Sequence, residues 1–385
     1  MAFIPYSKQA ITQADIDAVT DVLRSDFVTQ GPAITDFETA FAKRHGAEHA
    51  IALSNATAAL HIACLAMGVG PGSRVWTSPN SFAASANCAL YCGASVDFVD
   101  IEPATRNMST SELEAKLQRA QAEGALPDVV IPVDFSGLPC DLADIRALAD
   151  RYGFKILEDA SHATGASYQG EPVGSGQAHA TVFSFHAVKI VTTAEGGMVT
   201  TNDPELAKNI ALLRSHGISR DPDQLERESE GGWYYEQIDL GYNFRITDVQ
   251  AALGLSQLKR IDTMQAERIA RADRYDKILA ELPLKLPVRI ADRVSAWHLY
   301  VIELADSARC DRAALFAALR EAEIGANMHY IPIHTHPYYE RLGFKRGDFP
   351  ASVEYYEHAV TIPLFPAMTD AEQDRVAEVI RGAVL

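Results

Sequence analysis

The chain has 385 residues, of which 48% are hydrophobic, and carries a formal net charge of −17 at pH 7. A chain of this length and apolar content can bury the cores of one large and one smaller domain. Nucleic-acid and anionic-membrane partners require clustered Lys and Arg, so the acidic balance, with no basic run, argues against both. Neither a leader-like N-terminus nor an apolar run of membrane-spanning length is visible, and we expect a cytoplasmic protein.

The predicted elements begin with a capped helix at residues 12–24, a loop at residues 26–32 and a second helix at residues 33–44. Strands and helices alternate after that point, and the strand candidates are residues 49–53, 74–77, 95–99, 129–133, 155–158, 181–185 and 198–201. Most are short continuous apolar runs, which are typical of strands covered on both faces. With helices between them, such as residues 111–123 and 142–152, the pattern predicts an α/β fold with a mostly parallel seven-stranded sheet in αβα layers.

A continuous helical pattern runs from residue 247 to about residue 282 and predicts one long helix. This helix is the natural connection between a large domain, residues 1–246, and a smaller C-terminal α+β domain, residues 247–385. Within the smaller domain we expect a strand and two helices, at residues 298–304, 312–323 and 370–383.

Lys189 lies within the stretch TVFSFHAVKIVTTAEGG, residues 181–197. The first half of the stretch has a buried-strand pattern, and the second half is rich in small and hydroxyl residues. The lysine therefore follows a strand end, where ligands of parallel α/β proteins collect. Apolar neighbours disfavour an ammonium and so favour a nucleophilic amine. Most lysines at such positions are solvated charges, so the hypothesis depends on what the other strand ends carry.

The segment SNATAAL, residues 54–60, directly follows a strand and opens a helix of small residues. The free N–H groups of a helix N-terminus, together with the Thr57 hydroxyl, can hold a phosphate, although an ordinary capped helix has the same pattern. Ser184 would supply a second hydroxyl to this phosphate if the chain turns after its strand.

Two further strand ends carry groups that suit a flat heteroaromatic ring. Asp159 could pair with the protonated ring nitrogen of pyridoxal phosphate (PLP), with a helix cap or a Mg²⁺ ligand as the alternatives. Phe82 could stack on such a ring, although a core position is more usual for a phenylalanine.

Seven motifs together resemble, in their order and spacing, the DegT/DnrJ/EryC1/StrS family of sugar aminotransferases. They are SNATAAL, TSPNSFAASAN, ILEDASHATGA, FSFHAVKIVTTAEGGMVTTND, LLRSHG, GYNFRITDVQAALG and HYIPIHTHPYY, and they span nearly the whole chain. The resemblance implies the aspartate aminotransferase-like fold of PLP-dependent enzymes, fold type I. It also implies a homodimer with shared active sites and PLP bound to Lys189.

The resemblance implies a catalytic pair, with Lys189 as Schiff-base lysine and proton shuttle and Asp159 as partner of the ring nitrogen. It assigns the other cofactor-binding positions as follows: Ala56, Thr57 and Ser184 at the phosphate, Phe82 against the ring, His162 beside it, and Asn243 at the phosphate of the partner subunit's cofactor. Ala56 stands where the family usually has Gly, which should matter little because the phosphate uses the backbone N–H.

The versions of two motifs, FHxVKxxTTAEGG and HYIPxHxxPYY, most resemble one branch of the family. That branch transfers an amino group from L-glutamate to a UDP-4-keto-6-deoxy-N-acetylhexosamine in pseudaminic acid biosynthesis, with pyridoxamine phosphate as the intermediate form of the cofactor. The substrate-binding residues implied are Tyr6, Phe27, Val28, Thr29, Gln30, His329, Tyr330, Ile331 and Pro332.

Other functions remain open. Another sugar 4-aminotransferase, of the bacillosamine, perosamine or 4-amino-arabinose type, fits the same motifs. Dehydratases of the family carry His where this chain has Lys189, which argues against them. A non-catalytic PLP-binding regulator would need a DNA-binding region, and the chain has no basic helix.

No metal site is expected. The histidines His329, His334 and His336 lack a nearby carboxylate-rich strand, so substrate-binding or surface roles are favoured. The cysteines have no CxxC spacing and indicate neither a zinc site nor a disulfide framework: Cys64, Cys88, Cys92, Cys140 and Cys310.

Overall fold

The computed structural model describes residues 2–385. The α-helices are α1 (Gln13–Arg24), α2 (Pro32–His45), α3 (Ala56–Ala66), α4 (Ala84–Tyr91), α5 (Thr110–Glu123), α6 (Leu142–Tyr152), α7 (Pro204–Arg214), α8 (Asp248–Leu258), α9 (Ile261–Ile278), α10 (Arg312–Glu321), α11 (Pro337–Glu340), α12 (Pro350–His358) and α13 (Asp370–Val384). The strands are β1 (His49–Leu53), β2 (Arg74–Thr77), β3 (Ser95–Phe98), β4 (Val129–Ile131), β5 (Lys155–Asp159), β6 (Ser167–Tyr168), β7 (Glu171–Pro172), β8 (Ala180–Ser184), β9 (Gly197–Thr201), β10 (Ile218–Ser219), β11 (Glu236–Gln237), β12 (Leu284–Lys285), β13 (Arg293–Val294), β14 (Tyr300–Leu304) and β15 (Ala359–Ile362).

Seven strands form the central sheet in the order β1-β9-β8-β5-β4-β2-β3. The strands from β8 to β3 in this order are parallel to one another, and β9 runs antiparallel to both of its neighbours, β1 and β8. All residues of β4, β8 and β9 are buried, because helices cover both faces of the sheet. The predicted α/β fold with a mostly parallel seven-stranded sheet is confirmed.

Alternate residues of β8 face opposite helical layers. Val182 packs in the cluster formed with α3, α4 and α7, and Phe183 packs in the cluster formed with α2 and α8. Helices α2 and α8 approach closely because residue 254 is glycine: a Cβ at Gly254 would lie 2.6 Å from Phe37 Cζ. Both layers therefore support the strand ends that carry the predicted site.

The single long helix predicted for residues 247–282 is wrong, because the chain turns at Arg260 between α8 and α9. The buried carboxylate of Asp15 on α1 accepts hydrogen bonds from two donors at the end of α8 and one in the turn. They are Ser256 Oγ at 2.6 Å, Gln257 Nε2 at 2.9 Å and Arg260 Nη2 at 2.7 Å. These contacts hold the end of α8 against α1. The local sequence contains no breaker here, so only a tertiary contact reveals the turn.

The C-terminal part contains a three-stranded antiparallel sheet, β12-β14-β15, which packs with α10 and α13 around a hydrophobic core of its own. The N-terminal segment joins this unit: Ile4 N donates to Glu323 O at 3.0 Å, and Gly325 N donates to Ile4 O at 2.6 Å. A domain boundary at residue 247 stays a prediction. Within residues 2–385, no helix combines the length and the apolar character that crossing a membrane requires.

Candidate active site

A cavity of about 720 Å³ lies at the carboxyl ends of the central strands. Residues that follow β1, β2, β4, β5 and β8 contribute to its wall, as expected for a ligand site of a parallel α/β sheet. Ten residues singled out from the sequence line it: Tyr6, Ala56, Thr57, Phe82, Asp159, His162, Ser184, Lys189, His329 and Tyr330.

The N-terminus of α3 forms one end of the cavity. Asn55 caps the helix by accepting a hydrogen bond from Ala58 N at 2.8 Å. The N–H groups of Ala56 and Thr57 belong to the first turn, where a helix offers amides without intrahelical acceptors. This end therefore suits an anion.

Gly197 allows β9 to pass closely by the start of α3. A Cβ at Gly197 would lie 2.7 Å from Ala56 N, so β9 passes the first turn of α3 at a distance that only glycine permits. Ser184 is the partner of Gly197 in the antiparallel β8–β9 register, which brings its hydroxyl to the same end of the cavity. The chain does turn after β8, as the expectation for Ser184 required, and it returns as β9 beside Ser184.

Asp159 ends β5 and is only 4% exposed. Its Oδ2 accepts a hydrogen bond from Ser85 Oγ at 2.6 Å, and its Oδ1 accepts one from Ser161 N at 3.1 Å. Ser81 Oγ lies 2.7 Å from Ser85 Oγ and extends this chain of hydroxyls. Hydrogen bonds to both oxygens fix the position of the carboxylate. Across residues 2–385 no cluster of three or more His, Cys, Asp and Glu side chains could hold a metal ion.

Lys189 lies in the loop that leaves β8 and returns to β9. The loop closes back on the strand end, with Lys189 N donating to His186 O and Thr193 N donating to Phe185 O, each at 2.9 Å. Burial lowers the pKa of the Lys189 amine to about 7, and the negative charge of Asp159 partly opposes this shift. A large fraction of the amine is consequently unprotonated, and hence nucleophilic, at neutral pH.

Three buried histidines stand on the opposite side of the cavity. Burial, and then the charge of Lys189, lowers the pKa of His162 and of His298 well below the ordinary value, and the pKa of His329 to about 3. Ser136 N donates to His162 Nδ1 at 3.3 Å, which leaves the ring hydrogen on Nε2, 3.0 Å from the Tyr330 hydroxyl. His329 Nδ1 lies 2.8 Å from Thr361 Oγ1. The histidines are therefore neutral groups, available for hydrogen bonding and for packing.

The sequence analysis missed several residues of the site, notably His298 and Asn327 in the wall and Ser85, which donates a hydrogen bond to Asp159. Ser85 belongs to the motif TSPNSFAASAN, and the serine pair Ser81 and Ser85 in that motif was a usable signal. His298 precedes the strand β14 and has no local pattern that marks it. Its Nε2 lies 3.5 Å from Lys189 Nζ only because the C-terminal part packs against the large sheet.

Seven predicted residues do not line this cavity: Phe27, Val28, Thr29, Gln30, Asn243, Ile331 and Pro332. Asn243 is exposed and forms a backbone bridge with Ser215. Gln30 lines a separate cavity of about 220 Å³ beside Arg214 and Arg245. Phe27 is 55% exposed and Ile331 is 43% exposed. Their roles stay predictions.

Residues 9–381 match the model of the DegT/DnrJ/EryC1/StrS aminotransferase family. The chain belongs to this family. The spore coat polysaccharide biosynthesis protein SpsC of Bacillus subtilis is 42% identical over 387 residues, covering 99% of this chain and 97% of that protein. The PLP form of Spr1654 from Streptococcus pneumoniae, described as a sugar aminotransferase, has a TM-score of 0.89 at 29% identity and covers 100% of both chains. Helicobacter pylori PseC, described as an aminotransferase of pseudaminic acid biosynthesis, has a TM-score of 0.90 at 30% identity, covering 100% of this chain and 99% of that chain.

These similarities confirm that the chain has the predicted fold type I of PLP-dependent enzymes and that PLP is its cofactor. The Streptococcus pneumoniae protein has been solved in both its PLP form and its pyridoxamine phosphate form. The chain is therefore a PLP-dependent sugar aminotransferase.

The cavity of this family member fits PLP. The helix amides and the Ser184 hydroxyl suit a phosphate, and the missing side chain at Gly197 lets the start of α3 lie directly against β9. Asp159 offers a fixed negative charge for a protonated ring nitrogen, and Lys189 offers an amine that can react with a carbonyl. The phosphate, the ring nitrogen and the carbonyl carbon of PLP thus each have a complementary group in one cavity.

Proposed function

We propose that this protein transfers the amino group of L-glutamate to C4 of a UDP-linked 4-keto-6-deoxy-N-acetylhexosamine in pseudaminic acid biosynthesis. The sugar we favour is UDP-2-acetamido-2,6-dideoxy-β-L-arabino-hex-4-ulose. The observation that carries the aminotransferase chemistry is the Lys189 amine, with a pKa of about 7, in one cavity with Asp159 and the first turn of α3. The choice of sugar is supported by the similarity to PseC over the whole chain.

In this proposal PLP, attached through Lys189, supplies an electron sink for the bond changes at the donor and acceptor carbons. When the donor amine displaces Lys189, its freed Nζ takes the proton from the glutamate α-carbon and later delivers a proton to C4 of the sugar. Because the pKa of Lys189 lies near 7, the amine can both accept and give up that proton at neutral pH.

Asp159 has a fixed electrostatic role in the proposed reaction. Ser85 and Ser161 hold its two carboxylate oxygens, so its charge is in place before the reaction begins. Such preorganised charge lowers the barrier without reorganisation during the reaction.

The acceptor side is proposed to consist of Tyr6, His329 and Tyr330, which line the cavity. His329 stays neutral, and its position is fixed by the Thr361 hydroxyl and by the Tyr355 hydroxyl, which donates to His329 O at 2.6 Å. Neutral, fixed hydrogen-bonding groups suit the hydroxyls of a sugar.

We propose that the seven predicted site residues that do not line the cavity contribute to the active site of a second copy of the chain. Phe27, Val28, Trp233 and Leu240 are large hydrophobic side chains that are 46–75% exposed. Burying them between two copies would also place loops of one copy near the cavity of the other, including the predicted phosphate contact by Asn243. On this basis we propose a homodimer. A cytoplasmic location and a domain boundary at residue 247 also belong to the proposal.

A second candidate function is a different sugar 4-aminotransferase of a polysaccharide pathway. The 42% identity to SpsC over 99% of this chain favours it, since the identity to PseC is 30%. SpsC is described as a spore coat polysaccharide biosynthesis protein, and the acceptor would then differ in its nucleotide or sugar while the site chemistry stays the same.

The test is to incubate the purified protein with L-glutamate and a panel of UDP- and dTDP-linked 4-keto-6-deoxy sugars, and to identify the amino sugar by NMR. We expect the 4-amino product of the UDP-β-L-arabino sugar with the highest kcat/KM. A preference for a dTDP sugar would support the second candidate. Consumption of none of the sugars, in a protein that binds PLP and reacts with glutamate, would overturn the proposed acceptor class.

A further inference from the structure

The wall of the cavity contains His298, which the sequence analysis did not assign to the site. Its Nε2 lies 3.5 Å from Lys189 Nζ, and the residue is 3% exposed. We propose that His298 is a catalytic residue that accepts a hydrogen bond from Lys189 Nζ, orients the freed amine and keeps the transferred proton on that nitrogen. The inference rests on the proposed role of Lys189 as proton shuttle.

The backbone of His298 is held from two sides. His298 N donates to Ser136 O at 3.0 Å, on the turn that follows β4. On the other side, Arg268 of α9 directs Nη1 at three carbonyl oxygens: Trp297 O at 3.1 Å, Leu364 O at 3.3 Å and His298 O at 3.4 Å. Arg268 is 2% exposed and makes no ion pair within residues 2–385, so this guanidinium serves backbone oxygens alone. Arg268 is thus a positioning residue for His298.

Ser136 connects the two histidines nearest the lysine. Its N–H donates to His162 Nδ1, and its carbonyl oxygen accepts from His298 N. The two imidazole rings then pack with centroids 4.5 Å apart and planes inclined by 46°. Gly137 permits this arrangement, because a Cβ there would lie 2.8 Å from His162 O and 3.1 Å from Ala296 Cβ. The ring of His298 therefore faces Lys189 with little freedom to turn.

The tautomer follows from the contacts of the ring. His298 Nδ1 is buried and has no hydrogen-bond partner in the described part of the chain. Because no group donates a hydrogen bond to Nδ1, no contact forces the ring hydrogen onto Nε2. The hydrogen can therefore lie on Nδ1, which leaves Nε2 free to accept a hydrogen bond from Lys189. An unpaired N–H on Nδ1 has a cost, and the hydrogen bond from a charged Lys189 ammonium offsets it.

The surrounding charges keep the imidazole neutral. Burial lowers the pKa of His298 well below its ordinary value, and the positive charges of Lys189 and Arg268 act in the same direction. Asp159 is the one negative group that raises the pKa of Lys189. The lysine therefore remains the stronger base of the pair.

The proton transfer balances without a change in the charge of His298. The lone pair of Lys189 Nζ takes the proton from the glutamate α-carbon, so a C–H bond breaks, an N–H bond forms, and the electron pair of the C–H bond stays with the carbon skeleton and the ring joined to it. The resulting ammonium donates a charge-assisted hydrogen bond to Nε2. Because the imidazole is the weaker base, the proton stays on Nζ rather than passing to His298, and Nζ can return it to carbon within the same half-reaction.

The test compares two substitutions at one position. In His298→Gln, the amide oxygen reaches the place of Nε2 and can still accept from Lys189, whereas the shorter side chain in His298→Asn cannot reach it. His334→Gln is the matched control, since His334 is also fully buried with an unpartnered Nδ1 but does not line the cavity.

The first measurement uses the cofactor-free protein. The pKa of Lys189 is obtained from the pH dependence of its labelling by acetic anhydride, read by mass spectrometry. Loss of one charge-assisted hydrogen bond should lower that pKa by about one to two pH units in His298→Asn. We expect a pKa close to the wild-type value in His298→Gln and in His334→Gln. An unchanged pKa in His298→Asn would overturn the proposal.

The second measurement uses the PLP-loaded protein and the glutamate half-reaction, with no sugar present. Substituting deuterium at the glutamate α-carbon should slow the half-reaction more in His298→Asn than in wild type, because proton abstraction becomes more nearly rate-limiting. His298→Gln should restore the wild-type isotope effect. Equal defects in both variants would show that the imidazole only fills space, and would overturn the assignment.

A wild-type measurement decides the matter if His298→Asn does not fold. Nitrogen-15 spectra should show His298 neutral, with its hydrogen on Nδ1, down to about pH 5, since an ordinary histidine is largely protonated there. A protonated His298, or a hydrogen on Nε2, would overturn the proposal. None of these measurements involves the acceptor, so a wrong acceptor class in the sugar panel leaves their outcome unaffected.

Discussion

The phosphate end and the histidine side of the cavity are built in different ways. At the phosphate end, backbone amides of α3, a glycine of β9 and the last residue of β8 meet through neighbouring strands of one sheet. On the histidine side, His162, His298 and His329 come from three distant parts of the chain; Ser136 and Arg268 hold His162 and His298, and Thr361 and Tyr355 hold His329. Backbone-built sites tolerate variation in side chains, whereas a side chain-built site depends on the packing of every segment.

The largest effect should come from substituting Lys189, which lies in the same cavity as the phosphate end and the histidine side. Lys189→Ala removes the covalent attachment of PLP and the group that carries the proton, so multiple turnover should be lost. The absorption band of the lysine-bound cofactor should disappear as well. Lys208→Ala, on the exposed face of α7, is the control and should retain wild-type activity. Ordinary turnover in Lys189→Ala would refute the assignment.

Asp159→Asn should produce the next largest effect. The amide keeps the shape, and its single oxygen can accept one of the two hydrogen bonds, but the negative charge opposite the ring nitrogen is gone. We expect the glutamate half-reaction to slow by about 10²–10³-fold while PLP still binds. Ser85→Ala, which removes one of two donors to that carboxylate, should slow it far less. A wild-type half-reaction rate in Asp159→Asn would mean that Asp159 is only a strand-end cap.

Gly197→Ala tests the backbone-built half alone. Its Cβ would lie 2.7 Å from Ala56 N, so β9 or α3 must shift and the phosphate should lose contacts. We expect the Kd for PLP to rise about tenfold or more, which corresponds to about 1.4 kcal/mol. Gly70→Ala is the control, because nothing lies within 4 Å of a Cβ at that position. Equal PLP affinity in both variants would separate Gly197 from the phosphate end.

Asn243 tests whether a second copy completes the phosphate end. Lys189→Ala and Asn243→Ala subunits are each impaired, but in a mixed dimer one site would carry both defects and the other neither. About half of the wild-type activity should then return. If Asn243 acts within its own chain, every site of the mixed dimer carries one defect, and activity stays at the average of the two parents. Formation of the mixed dimer is verified by native mass spectrometry.

The smallest effect concerns stability against pH in the cofactor-free protein. The folded-state pKa of Lys189 is lowered to about 7, whereas an unfolded lysine titrates near about 10.4. Between these values the unfolded chain binds more protons, so this lysine makes the free energy of unfolding rise as pH increases. In denaturant unfolding, Lys189→Met should be more stable than wild type near pH 7, and the difference should shrink towards pH 10. A constant difference across this range would contradict the lowered pKa.

Local pattern determined much of this protein. The continuous apolar runs of β1 and β2, the small-residue start of α3 and the strand-end positions of Asp159 and Lys189 all follow from chain-local rules, because burial on both faces and helix capping leave their mark within a few residues. The resemblance of the motifs then indicated the family and its cofactor, both of which are confirmed.

Tertiary structure alone decided the rest. The turn at Arg260 depends on Asp15, which lies far away in the chain, and the contact of His298 with Lys189 depends on how the C-terminal part packs onto the large sheet. Neither Arg260 nor His298 is marked by periodicity or by a cap. Long-range contacts of this kind are set by the shape of two packed surfaces, and a local window of sequence contains only one of those surfaces.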